Sequence, residues 1–433
     1  MAAPRGTRDL LPEELAAWDR VEALARDLSR GYAFDRIETP LFESVDVFVR
    51  GVGEATEVVE KQLFLLSGPA QAGEGTGRWA LRPEPTAGIV RAYIENGMVS
   101  RPHPLRLWTM GPMFRYDRPQ AGRYRQFVQW DVEVIGEAGP MVDAELIELG
   151  HRFFTEVGVE NVVANLNSIG DETCRPAYRA AVTEYFGRHA DRLSDDSRRR
   201  LRDNPLRILD DKTLDPALAA DAPRSVDHLC DACRAHFDAV RALLDELGLR
   251  YRLEHRLVRG LDYYTRTTFE FFREGRERQQ DALGGGGRYD GLVELLGGQP
   301  TPGIGFGLGI DRTVLALNEE PLPDGGVPAV AVVASEPGLH AARLRVAEGL
   351  RADGWSVWVD GSDRKLGRQL ESAAKRGAHW AVIVADHPEL TIRDLWSGEQ
   401  RDAAIDGVVA LLATIRPTRR IPRSDSTPRR RSR

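Results

Sequence analysis

Cysteine is scarce, with three in 433 residues. That odd, small number leaves no disulfide framework and fits a reducing compartment. No apolar run approaches the roughly 20 residues needed to span a bilayer. The opening stretch, MAAPRGTRDLLPEE, lacks the apolar core of a secretory signal, so we expect a cytoplasmic protein with no membrane partner. A Walker-type phosphate loop is also missing, because the glycine run Gly284 to Gly287 is not followed by GK[ST]. Any phosphate bound here has to be held by arginines. A metal finger is wanting too. HLCDACRAH places His228, Cys230, Cys233 and His236 at a spacing that allows zinc. The same four residues fit one amphipathic helix, however, and no second ligand pair follows, so we expect no structural metal.

What is present is ample chain for about three domains. Net charge is -7, yet Arg416 to Arg433 holds eight arginines against Asp425, a local +7 that leaves -14 on the rest. An acidic total does not exclude nucleic acid, since phosphate binding needs a local basic surface. The 416–433 tail has three prolines and no apolar face. We expect it to be disordered, either touching RNA electrostatically or simply solvated.

Along the chain, Leu15, Trp18, Val21, Ala25 and Leu28 recur at helical spacing, predicting a helix over about 13–29. GYAFDRIETPLFE then reads as a glycine stop and a short strand ending at Pro40. LWTMGPMFRYD and YRQFVQWDVEVIG flank RPQAGR, a hairpin with a long basic loop. Residues 144–157 read as a helix, and 171–247 as helical and highly charged. LGGGGRYDGLVELLGG leads into TPGIGFGLGIDRTVLAL, a glycine-rich strand entering a helix. After the EEPLPDGGVP linker, AVAVVA, SVWVD and WAVIVAD alternate with two amphipathic helices, which predicts a small α/β domain with a parallel sheet.

Arginines recur where strands belong. Arg259 stands before two tyrosines in RGLDYYTRTTFEF, Arg115 lies inside MFRYD, and Arg312 opens a helix after a glycine-rich strand. A strand seldom buries arginine without a partner, although an isolated one can snorkel to water from a strand end. Glycines 303, 305, 307 and 309 either admit a flat ligand onto the backbone or allow close sheet packing.

These segments together resemble a known family. RGTRDLLP, GEATEVVEKQLF, LRPEPTAG, FRYDRPQAGRYRQFVQ, NPLRILDDK, RGLDYYTRTTFEF, GGGRYDGLVELLGG and GFGLGIDR are similar, in order, to the segments of class II aminoacyl-tRNA synthetases, and within that class to bacterial histidyl-tRNA synthetases. The resemblance runs from residue 5 to about 317, with an anticodon-binding domain beyond it. It implies an α+β fold with a class II catalytic domain over 1–320, an antiparallel sheet flanked by helices. It further implies a helical insertion at about 171–250, an anticodon-binding α/β domain over 327–415, and a homodimer formed through the segment ending at Pro40.

The implied chemistry has two steps. Histidine and ATP, with Mg2+ expected, form histidyl-adenylate and pyrophosphate, and the histidyl group then passes to the 3' end of tRNA(His). Carried over by position, Arg115 matches the arginine that grips the α-phosphate, Arg312 the one at the far end of ATP, and Arg123 a weaker phosphate contact. Glu84 and Thr86 match residues that hold the substrate amino group, with Gln129 bridging amino and carboxylate groups. Glu133 and Tyr264 match the pair that reads the imidazole, and Tyr263 lies beside it. Arg259 matches a catalytic arginine of this family. Pro85 stands where relatives more often have glycine, which removes a backbone donor beside the substrate. The competing expectation is a synthetase-like subunit that senses histidine without charging tRNA; such paralogues typically lack the anticodon domain and the catalytic arginines. A third, adenylation of histidine for another carrier, is also open.

Overall fold

The computed structural model describes residues 2–412 apart from 54–55, 57, 67–77, 121, 210, 212, 258–260, 276–281, 318–328, 353, 388, 405–406 and 408–411. The chain divides into two compact units, Met1–Leu322 and Pro323–Arg433. In the first the order is α1 (Pro12–Gly31), β1 (Asp35–Arg36), β2 (Phe42–Ser44), α2 (Val45–Val52), β3 (Leu65–Leu66), β4 (Trp79–Leu81), α3 (Thr86–Glu95), β5 (Leu105–Phe114), β6 (Gln126–Ile135) and α4 (Pro140–Val157). It continues with β7 (Val162–Ser168), α5 (Arg175–Arg188), α6 (Asp195–Asp203), α7 (Pro216–Ala220), α8 (Asp231–Glu246), β8 (Tyr251–Leu253), β9 (Thr265–Arg273), β10 (Gly284–Arg288), α9 (Leu292–Leu295), β11 (Gly303–Gly309) and α10 (Ile310–Leu317).

Eight of these strands make one sheet in the order β1-β5-β6-β11-β10-β9-β7-β8. It is antiparallel except at its two ends, where β1 joins β5 and β8 joins β7 in parallel. The expected α+β class, an antiparallel sheet flanked by helices, is what the chain forms. The sheet is two-faced because its strands alternate. In β6, Trp130, Val132 and Val134 enter a core shared with α1, α4, α8 and α10, where Trp130 lies 4.9 Å from Phe153 and 5.3 Å from Phe306. Gln129, Asp131 and Glu133 therefore point to the opposite face. In β11, Ile304, Phe306 and Leu308 join the same core and the glycines take the other side. Leu15, placed by periodicity on the buried stripe of α1, is 36% exposed, while Ala17 is buried.

Between β7 and β8, Tyr178, Val182, Phe186, Leu193 and Ile208 form a small core of their own. Helix α8 belongs instead to the main body, through Phe237, Val240 and Leu244. Arg288, in RYDGL, is fully buried. Its guanidinium is neutralised by Asp143 Oδ1 at 2.7 Å and donates to the Glu137 and Gly139 carbonyls, the partnering that a buried charge requires.

The second unit contains β12 (Ala329–Ala334), α11 (His340–Ala352), β13 (Ser356–Val359), α12 (Leu366–Lys375), β14 (Trp380–Val384), β15 (Glu389–Asp394) and β16 (Gln400–Ala404). Its sheet, β13-β12-β14-β15-β16, is parallel through the first three strands and antiparallel through the last two. The three strands expected to be parallel are so, and an antiparallel β15–β16 hairpin extends them into a mixed sheet. The β15–β16 hairpin carries little sequence signal because only Leu390 and Ile392 of β15 are buried. Its turn is held by Asp394 Oδ1, which accepts from the Trp396 and Ser397 amides at 2.7 and 2.9 Å. Among the described residues, no helix is long and apolar enough to cross a membrane. The 416–433 tail lies outside the described residues.

Candidate active site

The polar face of β6 and the glycine face of β11 open onto one cavity of about 590 Å³. Glu84, Pro85, Thr86, Arg115, Arg123, Gln129, Glu133, Tyr263, Tyr264 and Arg312 all line it, although they span more than 200 residues of chain. Arg259 lies outside the described residues. The β5–β6 hairpin sets Arg115 and Gln129 near its loop end, with Gly111 opposite Gln129 in register. Glu84 and Thr86 sit where the chain leaves β4 and enters α3.

Glycine in β11 is required by these side chains. A Cβ at Gly305 would lie 1.8 Å from Glu133 Oε2, and one at Gly307 would lie 2.4 Å from Asp131 Oδ1 and 2.7 Å from Gln129 Nε2. The close-packing reading of the alternate glycines therefore holds at 305 and 307. They permit close packing of acidic side chains, and they line the cavity. At Gly303 a Cβ would meet the ring of Tyr289 instead.

Glu84 accepts from the Thr86 and Ala87 amides at 2.8 and 3.1 Å, which satisfies the start of α3. The missing donor at Pro85 costs that helix nothing, and its carbonyl accepts from Ile89. Thr86 Oγ1 donates to Glu133 Oε1 at 2.6 Å, and Tyr289 Oη donates to Glu133 Oε2 at 2.5 Å. Tyr263 Oη lies 3.4 Å from Glu84 Oε2, with its ring 4.7 Å from that of Tyr264. Thr86 therefore spends its hydroxyl on Glu133 here, where the resemblance pointed to a substrate amino group.

Among the described residues, Gln129 Oε1 and Asp131 Oδ2 are buried with no hydrogen-bond partner. Unmet acceptors at a cavity wall call for a cationic or donor-rich ligand. Asp131 and Tyr289 were absent from the sequence reading. Period-two alternation through Gln129, Asp131 and Glu133 was the signal for the first. For Tyr289 there was none beyond its place in RYDGL.

Arg115 Nε donates to the Pro83 carbonyl at 2.8 Å, and its guanidinium lies 5.3 Å from the centre of the Phe127 ring. Arg312 Nε donates to the Gly122 carbonyl at 3.2 Å, while Arg123 pairs with Asp117 at 3.4 Å. The insertion contributes Arg199, Arg200 and Arg207 to the cavity wall, three cations that the sequence reading had not assigned.

Burial raises the carboxyl pKa values on this face. It raises Glu84 and pushes Asp131 well above the usual carboxylate range, helped there by the neighbouring Glu133 and Glu84 charges. Burial raises Glu133 from 4.5 to about 8, against the hydrogen bonds from Thr86 and Tyr289. Between those two values the folded chain keeps a proton that the unfolded chain has lost, so this group withdraws stability as pH rises through the window. Glu133→Gln, which cannot ionise, is expected to gain melting temperature relative to the parent as pH rises from about 5 to 9, with the difference vanishing near pH 4. Parallel melting curves across that range would show that Glu133 ionises normally.

Residues 6–170 and 179–313 match the family model described as histidyl-tRNA synthetase, and 329–415 match an anticodon binding domain. The histidine--tRNA ligase of Desulforudis audaxviator is 45% identical over 95% of this chain and 98% of its own length. That of Pelotomaculum thermopropionicum is 42% identical over 94% of this chain and 96% of its own. The crystal structure of apo Staphylococcus aureus histidyl-tRNA synthetase superposes with a TM-score of 0.78 at 33% identity, covering 95% of this chain and 99% of that one. With the model matched through both parts of the catalytic sheet and its cavity, the chain belongs to the histidyl-tRNA synthetase family.

Proposed function

We propose that this chain is a histidine–tRNA ligase that activates histidine with ATP and transfers it to the 3' end of tRNA(His). The observation that carries this reading is a cavity with three buried carboxylates, Glu84, Asp131 and Glu133, that also holds Arg115 within electrostatic reach of two of them. Such a site suits a zwitterion with a donor-bearing side chain. Glu84, Gln129 and Asp131 take the amino group. Glu133, oriented by Thr86 and Tyr289, reads the imidazole beside Tyr263 and Tyr264.

Arg115 and Arg259 hold the substrate carboxylate against the α-phosphate, and Arg312 and Arg123 serve the rest of the triphosphate. The histidine carboxylate attacks phosphorus as the bond to pyrophosphate breaks. Charge building on the α-phosphate oxygens is met by fixed guanidinium donors. ATP enters with Mg2+, for which the Glu270 carboxylate of the cavity wall is a ligand of the right class.

The regulatory-subunit reading is disfavoured by the anticodon-binding match at 329–415 and by the retained arginines. A homodimer is supported by Leu41, Phe42, Leu65 and Trp79, which leave an exposed apolar surface on and beside the β2-β4-β3 sheet. Free cysteines fit a cytoplasmic setting.

Aminoacylation of a tRNA transcript bearing the histidine anticodon is the test. The full chain is expected to charge it with histidine. A chain ending near residue 322 is expected to keep ATP–pyrophosphate exchange and lose most charging, because the second unit supplies tRNA affinity. Exchange without any charging by the full chain would favour the alternative-carrier reading, and histidine binding with neither activity would favour the regulatory one. Equal loss of both activities in a folded, dimeric truncation would remove the anticodon role.

A further inference from the structure

The four residues that HLCDACRAH offers at metal spacing do not act together. His236 Nε2 lies 2.8 Å from Asp143 Oδ2 in the core, and the His228 ring packs 5.8 Å from that of Tyr178. What meets Cys230 and Cys233 is Asp171 and Cys174, from the turn after β7. The ligand atoms of these four residues all lie within 4.8 Å of one another, and they include all three cysteines of the chain.

The cluster is built rather than incidental. Gly170, at φ +69°, turns the chain so tightly that a Cβ there would lie 2.4 Å from Cys174 Sγ. The Asp171 amide donates to that sulfur at 3.3 Å, and Asp171 Oδ1 lies 3.5 Å from Cys174 Sγ and 3.9 Å from Cys230 Sγ. Cys174 and Cys230 are the N-caps of α5 and α8, and Cys233 lies in the first turn of α8.

We propose that Asp171, Cys174, Cys230 and Cys233 form a structural zinc site that ties both ends of the helical insertion to the end of β7. Four ligands in a tetrahedron with Zn–S of about 2.3 Å place neighbouring sulfurs about 3.8 Å apart. The cluster needs to contract by no more than about 1 Å to reach that geometry, which small side-chain rotations supply. Binding releases the thiol protons. Three thiolates and a carboxylate around Zn2+ leave two negative charges, and Arg175 and Arg266 lie within electrostatic reach to offset them. Arg266 Nη2 is 3.5 Å from Asp171 Oδ2, orienting that ligand from behind. Arg175 also donates to the Tyr264 carbonyl, so the metal lies one side chain behind the cavity. The expectation of no structural metal took His228, Cys230, Cys233 and His236 to share one helix with no second ligand pair; His228 instead ends a short turn before α8, Cys230 is the N-cap of that helix, and Asp171 and Cys174 supply the second pair.

The full-length chain, purified under reducing conditions, incubated with zinc sulfate and desalted, is expected to retain one zinc per chain by mass spectrometry. Its three thiols should resist a thiol reagent until a chelator strips the metal, and the stripped protein should melt at a lower temperature than the loaded one. Cys233→Ser is expected to lose the zinc and the zinc-dependent melting shift. Asp171→Asn keeps every thiol and is expected to lose stoichiometric retention, which covers the case in which the serine variant does not fold. Parent protein without bound zinc whose reduced thiols react freely would overturn the site. So would zinc retained undiminished by both variants, or a Cys230–Cys233 disulfide under the same reducing conditions.

Discussion

Replacing Glu133 with alanine is expected to raise the histidine concentration needed for adenylate formation by up to about ten-thousandfold, with ATP binding nearly unchanged. The size follows from what the site is built to do. Glu133 is 1% exposed, holds hydrogen bonds from Thr86 and Tyr289, and faces the glycine strand across a gap too small for a methyl group. A cavity whose polar groups are positioned for a donor ring rejects every occupant that leaves them unpaired, each orphaned group costing about 1–3 kcal/mol. Truncation also strands the Thr86 and Tyr289 hydroxyls, so Glu133→Gln is the cleaner companion, preserving shape while changing the donor pattern. Pyrophosphate exchange against histidine concentration measures the effect. Unchanged histidine dependence in the alanine variant would remove Glu133 from substrate recognition.

Arg115→Ala should slow adenylate formation by about a hundred- to a thousandfold, the usual loss when one preorganised donor is taken from developing transition-state charge. The side chain is aimed before substrate arrives. Its Nε is fixed on the Pro83 carbonyl, and the guanidinium lies 5.3 Å from the centre of the Phe127 ring. Lysine restores charge but not the planar fork, so Arg115→Lys should recover only part of the rate. Single-turnover adenylate formation, with thermal unfolding measured alongside, separates catalysis from folding. A folded Arg115→Ala variant that forms adenylate at the parent rate would show that the guanidinium is structural. The same substitution at Arg259 tests the family-matched companion by the same readout.

Much of this site was legible because strand periodicity is local. Glycine at every second position of β11 marks one face of a strand whatever the sheet later packs against, whereas Gln129 and Glu133 were legible only through the resemblance of their segment to the family. Arg115 was legible as an arginine out of place in a strand. Asp131 shares the face of Gln129 and Glu133 by the alternation of β6, yet it matches no motif position of the family and so the resemblance does not mark it. The β15–β16 hairpin leaves little signal for another reason, since its strands are short and mostly exposed and carry almost no apolar pattern.

The sequence by itself determined the alternating faces of β6 and β11, the charged helical character of 171–247, the order of motifs and hence the family. Each of these depends on residues a few positions apart, where backbone geometry alone dictates which side chains share a face. Only the tertiary structure decided that Tyr289 donates to Glu133 across 156 positions, that Asp143 serves both Arg288 and His236, and that Cys174 and Asp171, rather than two histidines, meet Cys230 and Cys233. Such pairs are set by strand register and helix docking, where a one-residue slip turns a side chain to the other face, and no spacing along the chain encodes them.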